Sequence, residues 1–186
     1  MLSYGDLKKG VVFVLEGDPW LVLDSGFLRM QQRKAVMQTK IKNLKTGKIV
    51  DRNFQASDSF EEAEIERQPA MFIYTSKGES WFHEKNDKSK RMSLKEDTLG
   101  DKVNFLKSNL EVIIIKFGEQ VINVELPIKV EYEVVEAPPA VKGNTAQGGV
   151  KSVKIETGAF VNTPMFVETG DKIKVNTETG EYVERS

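Results

Sequence analysis

Apolar and polar residues alternate with a period of two along much of this 186-residue chain. Turn-forming residues interrupt the alternation roughly every 8–12 positions. Val11, Phe13 and Leu15 alternate with Val12, Val14 and Glu16 before a turn at Gly17-Asp18-Pro19, and residues 20–23 make a short apolar strand. Residues 36–44 place Met37, Thr39 and Ile41 on one face and Lys40 and Lys42 on the other, which predicts a half-buried strand with a charged outer side. Lys45-Thr46-Gly47-Lys48 is a turn, and residues 49–54 return along it.

A second block opens near Glu64. Residues 70–74 and 80–83 flank Ser76-Lys77-Gly78-Glu79 as a hairpin. Asp101 is placed to cap a helix, with Val103, Leu106 and Leu110 at helical spacing. Residues 112–117 and 121–126 form another strand pair. In the third block Ile128, Val130, Tyr132 and Val134 alternate with Lys129, Glu131, Glu133 and Val135 until Ala137-Pro138-Pro139 breaks the strand. A small-residue loop follows, and then short strands around Ile155, residues 159–161, 165–167 and 173–175. The pattern predicts an all-β protein of three small barrels in series, at residues 1–63, 64–126 and 127–186. Domains of about 60 residues have thin cores, so neighbours are expected to share an interface. No exact internal repeat, low-complexity segment or long linker is visible.

Composition narrows the function classes. Hydrophobic residues make up 39% of the chain and charged residues 30%, enough for a core and a wet surface. No apolar run approaches the roughly 18 residues of a membrane helix. The first residues lack the basic patch and apolar stretch of a secretory signal. There is no cysteine, which excludes disulfides, zinc-thiolate sites and cysteine nucleophiles and suits a reducing cytoplasm.

The net charge of −1 hides an uneven distribution. Residues 29–48 carry Arg29, Arg33, Lys34, Lys40, Lys42, Lys45 and Lys48 and no Asp or Glu. This is either a polyanion site or a solvated lysine-rich hairpin. By contrast, residues 64–126 hold eleven acidic and ten basic residues, a balance that argues against a strong RNA groove there.

Candidate chemistry is sparse. His83 is the one histidine, it lies beside Trp81 and Phe82 in a strand, and a structural or surface role is expected. No metal-ligand spacing, phosphate-gripping loop or marked carboxylate pair is present, so no catalytic residue, metal or cofactor is expected. Residues 143–149 are glycine-rich but lack a Gly-Lys-Ser/Thr ending, and serve either for close approach to RNA or as a plain connection. The basic segment differs. Arg29, Gln31, Gln32, Arg33 and Lys34 crowd a polar tip whose cations can meet phosphates and whose amides can meet ribose or base edges.

Several motifs in order carry a family resemblance. They are Leu7-Lys8-Lys9-Gly10, then residues 40–47 (Lys-Ile-Lys-Asn-Leu-Lys-Thr-Gly), residues 139–145 (Pro-Ala-Val-Lys-Gly-Asn-Thr) and Glu156-Thr157-Gly158-Ala159. Residues 170–175 and 179–185 complete the set. Over its whole length the chain resembles bacterial elongation factor P, and the third block favours the bacterial type over its two-domain archaeal and eukaryotic relatives. The resemblance implies an SH3-like, KOW-type first domain and two OB-type barrels in an L-shaped, tRNA-like form. It implies a monomeric cytoplasmic factor that binds the ribosome between the peptidyl and exit sites, touches peptidyl-tRNA and ribosomal RNA, and relieves stalling at consecutive prolines. On this resemblance the ribosome does the chemistry and the factor holds the tRNA acceptor end in place.

The departure falls on the tip. The family's Pro-Gly-Lys-Gly is replaced by Met30-Gln31-Gln32-Arg33, with Gln32 at the apex in an ungapped alignment. Glutamine has no amine to acylate, and non-glycine residues resist positive φ. The expectation is an unmodified tip in which Gln32, Arg33 and Lys34 share the contact; a shift of one or two residues would put Arg33 or Lys34 at the apex instead. Arg29, Lys40 and Lys42 are assigned to RNA backbone. In the last domain the family's Lys-Pro-Ala-Thr-Leu stretch is Lys151-Ser152-Val153-Lys154-Ile155. Lys142, Asn144, Thr145, Tyr182 and Arg185 are assigned by resemblance to tRNA or small-subunit contacts; for Tyr182 and Arg185, packing on the barrel and free solvent are the alternatives. The competing hypothesis is a general single-stranded RNA-binding OB protein with Phe72, Tyr74 and Trp81 as stacking platforms.

Overall fold

The computed structural model describes residues 1–28, 35–139 and 149–186. The chain is all-β, with three sheets. The first holds β1 (Leu2–Ser3), β2 (Val12–Leu15), β3 (Asp18–Leu28), β4 (Val36–Asn43), β5 (Ile49–Gln55) and β6 (Ser59–Glu62), in the order β1-β6-β2-β3-β4-β5. The second holds β7 (Ile65–Ser76), β8 (Glu79–Glu84), β9 (Asp87–Lys95), β10 (Glu111–Phe117) and β11 (Gln120–Glu125), in the order β11-β10-β7-β8-β9. The third holds β12 (Lys129–Glu136), β13 (Val150–Ile155), β14 (Phe160–Pro164), β15 (Lys172–Asn176) and β16 (Tyr182–Arg185), in the order β14-β13-β12-β15-β16. Two compact units result, residues 1–68 with 114–124, and residues 69–113 with 125–186.

In the first unit, alternate positions of β2, β3, β4 and β5 point Phe13, Val22, Ile41 and Phe54 into one core with Leu7 and Phe60. Phe13, Phe54 and Phe60 meet edge to face, with ring centroids 4.8 to 5.8 Å apart. A second cluster seats Leu44 against Ile115 and Ile122, with Val12 and Leu21 packed on it. Asn123 Nδ2 donates to the Leu44 carbonyl at 3.0 Å, so the buried hairpin end of β4 keeps its backbone satisfied.

In the second unit, Phe72, Phe82, Leu94, Leu106 and Leu110 are buried, as are Val130, Tyr132, Val134, Val153, Ile155, Ile173 and Val175. Tyr132 donates to the Phe105 carbonyl at 2.6 Å, and Thr157 Oγ1 donates to the Asn104 carbonyl at 2.7 Å. Lys107 Nζ donates to the Glu131 carbonyl at 2.6 Å, lies 5.3 Å from the centre of the Tyr132 ring and pairs with Glu156 at 3.3 Å. Burial, and then the nearby Glu156 carboxylate, push the Tyr132 phenol well above its ordinary range, so it stays a neutral donor.

Three sequence expectations change. The helix capped by Asp101 does not form. A single α-turn, α1 (Glu96–Leu99), passes at Gly100 (φ +55°) into a 3₁₀ turn over Gly100–Phe105. Leu106 and Leu110 are buried from a loop that reverses at Asn109 (φ +62°), so their helical spacing comes from successive turns. Residues 165–167 are not a strand, whereas β9 and β16 are strands. Finally, one turn occurs twice. Asn43 Oδ1 accepts from the amides of Lys45 and Thr46, both at 2.9 Å, and Gly47 closes the turn at φ +77°. Asn176 Oδ1 accepts from Glu178 and Thr179 at 2.9 and 3.2 Å, and Gly180 closes at φ +72°. The shared pattern is Asn-x-x-Thr-Gly, where the asparagine side chain takes two amides and glycine the left-handed residue.

Candidate functional site

The basic hairpin is built on the two longest strands of the first sheet. β3 and β4 pair from Trp20↔Asn43 to Phe27↔Met37 and Leu28↔Val36, with one irregularity between Val22 and Asp24. At the far end Asn43 anchors the return: its Nδ2 donates to Asp18 Oδ2 at 3.0 Å, and its backbone amide donates to the Lys48 carbonyl at 2.8 Å. Both arms are therefore fixed up to Leu28 and Val36. Arg29, Gln31, Gln32, Arg33 and Lys34 lie outside the described residues, as do Lys142, Asn144 and Thr145. At the root of the hairpin, Phe27 is 55% exposed, and its ring lies 6.2 Å from that of Tyr4.

Three of the four described lysines of the segment sit in different settings, and Lys48 is exposed at the turn. Lys40 projects from the outer face of β4, between its cross-strand partners Asp24 on β3 and Asp51 on β5. These three residues line an open groove of about 500 Å³ with Gly26, Gln38 and Asn53. Lys42 is half-buried on the same face, between Leu21 and Ile49. Lys45 pairs with Asp18 at 3.6 Å. An acid-free stretch of sequence thus receives carboxylates from both neighbouring strands once the sheet forms.

At the chain's end, Tyr182 is partly buried on β16 and lines an open groove with Val150, Ser152, Phe160, Asn162 and Pro164. Arg185 is not free in solvent: its guanidinium lies 3.5 Å from Asp171 Oδ2 and 5.7 Å from the centre of the Phe166 ring. The three candidate stacking aromatics separate. Phe72 is 6% exposed and belongs to the core, so it is no platform, whereas Tyr74 is 45% exposed and stacks on Trp81 at 6.4 Å with an interplanar angle of 27°. His83 Nδ1 donates to the Glu84 carbonyl at 2.7 Å, which fixes its ring. Among the described residues no group of three or more His, Asp or Glu side chains is arranged to hold a metal ion. No helix among them is long and apolar enough to cross a membrane.

The comparisons with known proteins agree with this architecture. The family model described as "Elongation factor P (EF-P) KOW-like domain" matches residues 3–60, and that described as "Elongation factor P, C-terminal" matches residues 130–185. A curated elongation factor P from Moorella thermoacetica is 34% identical over 186 residues, covering 100% of both chains. That from Thermodesulfovibrio yellowstonii is 37% identical, covering 100% of this chain and 98% of its own. The solved structure of the "Eukaryotic translation initiation factor 5A from Methanococcus jannaschii" superposes with a TM-score of 0.51 at 14% identity, over 68% of this chain and 90% of that one, a likeness of fold.

Proposed function

The chain belongs to the elongation factor P family of translation elongation factors, and on that premise we propose that it binds the ribosome between the peptidyl and exit sites, beside peptidyl-tRNA, and relieves stalling at consecutive prolines. The observation that carries the proposal is the fixed hairpin. β3 and β4 stay in register to Leu28↔Val36, and between them runs a segment with Arg29, Arg33 and Lys34 and no acid. Cations that follow directly on two paired strands suit contacts with an RNA backbone.

In this proposal Gln31, Gln32, Arg33 and Lys34 meet the acceptor end of peptidyl-tRNA without modification, and Arg29, Lys40 and Lys42 lie along RNA backbone. Lys142, Asn144, Thr145, Tyr182 and Arg185 serve contacts to tRNA or the small subunit. Residues 1–63, 64–126 and 127–186 act as three domains of one cytoplasmic, monomeric binding factor without a cofactor. Catalysis stays with the ribosome. The factor lowers the barrier by restricting the acceptor end to reactive geometries, an entropic contribution.

The test is reconstituted translation of a template with a proline run. Adding the protein should release the stall, and Arg33→Ala with Lys34→Ala should abolish the release. If the stall persists while the same ribosomes respond to an established factor, the proposal fails.

A further inference from the structure

The second sheet presents an outer face, with Tyr74 and Trp81 on it, that the proposed function does not use. Its centre is a cross-strand row, Tyr74 on β7, Trp81 on β8 and Ser93 on β9, in direct register. On one side lies the row Met71, His83 and Arg91, and on the other Ser76, Glu79 and Lys95. All nine point away from the core, because the alternate positions Phe72, Ser80, Phe82 and Leu94 are buried. An irregularity between Phe72 and Tyr74 brings Tyr74 opposite Trp81, and the two rings stack.

The charge on this face is ordered. β9 is the edge strand of its sheet and carries Lys88, Lys90, Arg91 and Lys95, all exposed. Lys90 is paired with Glu84 at 3.5 Å. Arg91 and Lys95 have no ion-pair partner among the described residues, and Glu79 is the one carboxylate in the three rows. They stand four residues apart on one strand, about 13 Å, and bracket the aromatic row. A base laid on the Tyr74–Trp81 surface would direct its flanking phosphates to this cationic edge, while Ser93 offers a hydroxyl between them.

We infer that the outer face of β7, β8 and β9 binds an unpaired RNA segment, with Tyr74 and Trp81 stacking a base and Arg91 and Lys95 holding the backbone. Stacking tolerates any base, so the site reads strandedness and not sequence. Two cations make the binding modest and its salt dependence shallow. The near balance of charge in this part of the sequence does not show that Arg91 and Lys95 share a face with Tyr74 and Trp81.

The test uses the full chain with Trp20→Phe, which leaves Trp81 as the single tryptophan reporter. Trp20 is a suitable position because its indole nitrogen is buried without a hydrogen-bond partner. Titration at low salt with a 12-nucleotide uridine oligomer should quench Trp81 emission, and the logarithm of affinity should fall against that of salt with a slope of about −1.4 for two phosphates. Tyr74→Ala should weaken binding about tenfold, and Arg91→Ala with Lys95→Ala should flatten the slope. Duplex RNA of the same length should leave the emission unchanged.

Equal quenching by duplex, or no quenching at any salt, overturns the inference. So does a double charge variant that self-associates with its RNA affinity intact, since the cations would then only blunt a strand edge. On ribosomes, a photo-crosslinker on Tyr74→Cys in this cysteine-free chain should capture RNA; capture of a protein chain instead also overturns it. The oligonucleotide titration is independent of stall relief, so either proposal can fail without the other.

Discussion

Lys40 and Arg91 occupy comparable places, each in the outer face of a three-strand stretch of sheet, yet their surroundings are opposite. Lys40 comes from a stretch with seven bases and no acid, and the sheet sets Asp24 and Asp51 on either side of it. Arg91 comes from a stretch with eleven acids and ten bases, and the sheet leaves it beside His83 at an open edge. Charge along a strand is therefore a poor guide to charge on a face. Strand neighbours, brought from residues 16 or 11 positions away, decide the local field as much as the strand itself. The tip of the basic segment, residues 29–34, lies outside the described residues and stays an expectation from the linear pattern.

The contrast can be broken or sharpened by substitution. The largest effect should separate the two sides of the second sheet. Phe72→Ala should cost about 3–5 kcal/mol in urea unfolding, whereas Tyr74→Ala should cost under about 1 kcal/mol, as expected of an outward residue. Equal costs would place both rings in the core. Next comes the anchor of the basic hairpin. Asn43→Ala removes two turn bonds and the bond to Asp18, at about 1–3 kcal/mol, and Asn176→Ala should cost somewhat less because, among the described residues, Asn176 makes no side-chain bond of the Asp18 kind.

Tyr132, outside both faces, supplies a control of known sign. Its phenol is raised above the ordinary value of 10.0, so its contribution is complete below about pH 10 and falls as the unfolded phenol ionises above that. Tyr132→Phe should lose about 1–2 kcal/mol near neutrality, and should remove that part of the alkaline loss of stability in unfolding measured from pH 8 to 11. The smallest effect concerns Lys40 itself. Asp24→Asn with Asp51→Asn should make the salt dependence of RNA binding steeper by about 0.7, as one cation is left without acidic cross-strand neighbours. An unchanged slope would mean that the carboxylates do not restrain it.

Much of the fold is legible from periodicity. The alternation at Met37, Thr39 and Ile41 places β4 and its buried face correctly, and Val130, Tyr132 and Val134 do the same for β12. β9 is hidden because an edge strand needs no apolar alternation: Lys88, Ser89, Lys90 and Arg91 read as a loop. The false helix arises because turns at residues 96–110 happen to space buried leucines as a helix would. The sequence holds four Thr-Gly pairs, and the hydrogen bonds show that an asparagine three residues before the threonine organises two of them, at Gly47 and Gly180. For the site, the basic tip lies outside the described residues, and the acidic company of Lys40 appears only when the strands pair. The sequence flags Tyr74 and Trp81 but wrongly adds Phe72, since a bulge changes which residues of β7 face outward.

The absence of cysteine allows the most direct test of the hairpin's role. Ala35→Cys, at the start of the outgoing arm, would carry an iron chelate that generates hydroxyl radicals on ribosomes stalled at a proline run. Cleavage at the 3′ acceptor end of peptidyl-tRNA and the ribosomal RNA beside it, with free chelate leaving both intact, is the predicted result. A tethered chain that still relieves the stall but cleaves only RNA remote from the acceptor end would contradict the hairpin's assignment.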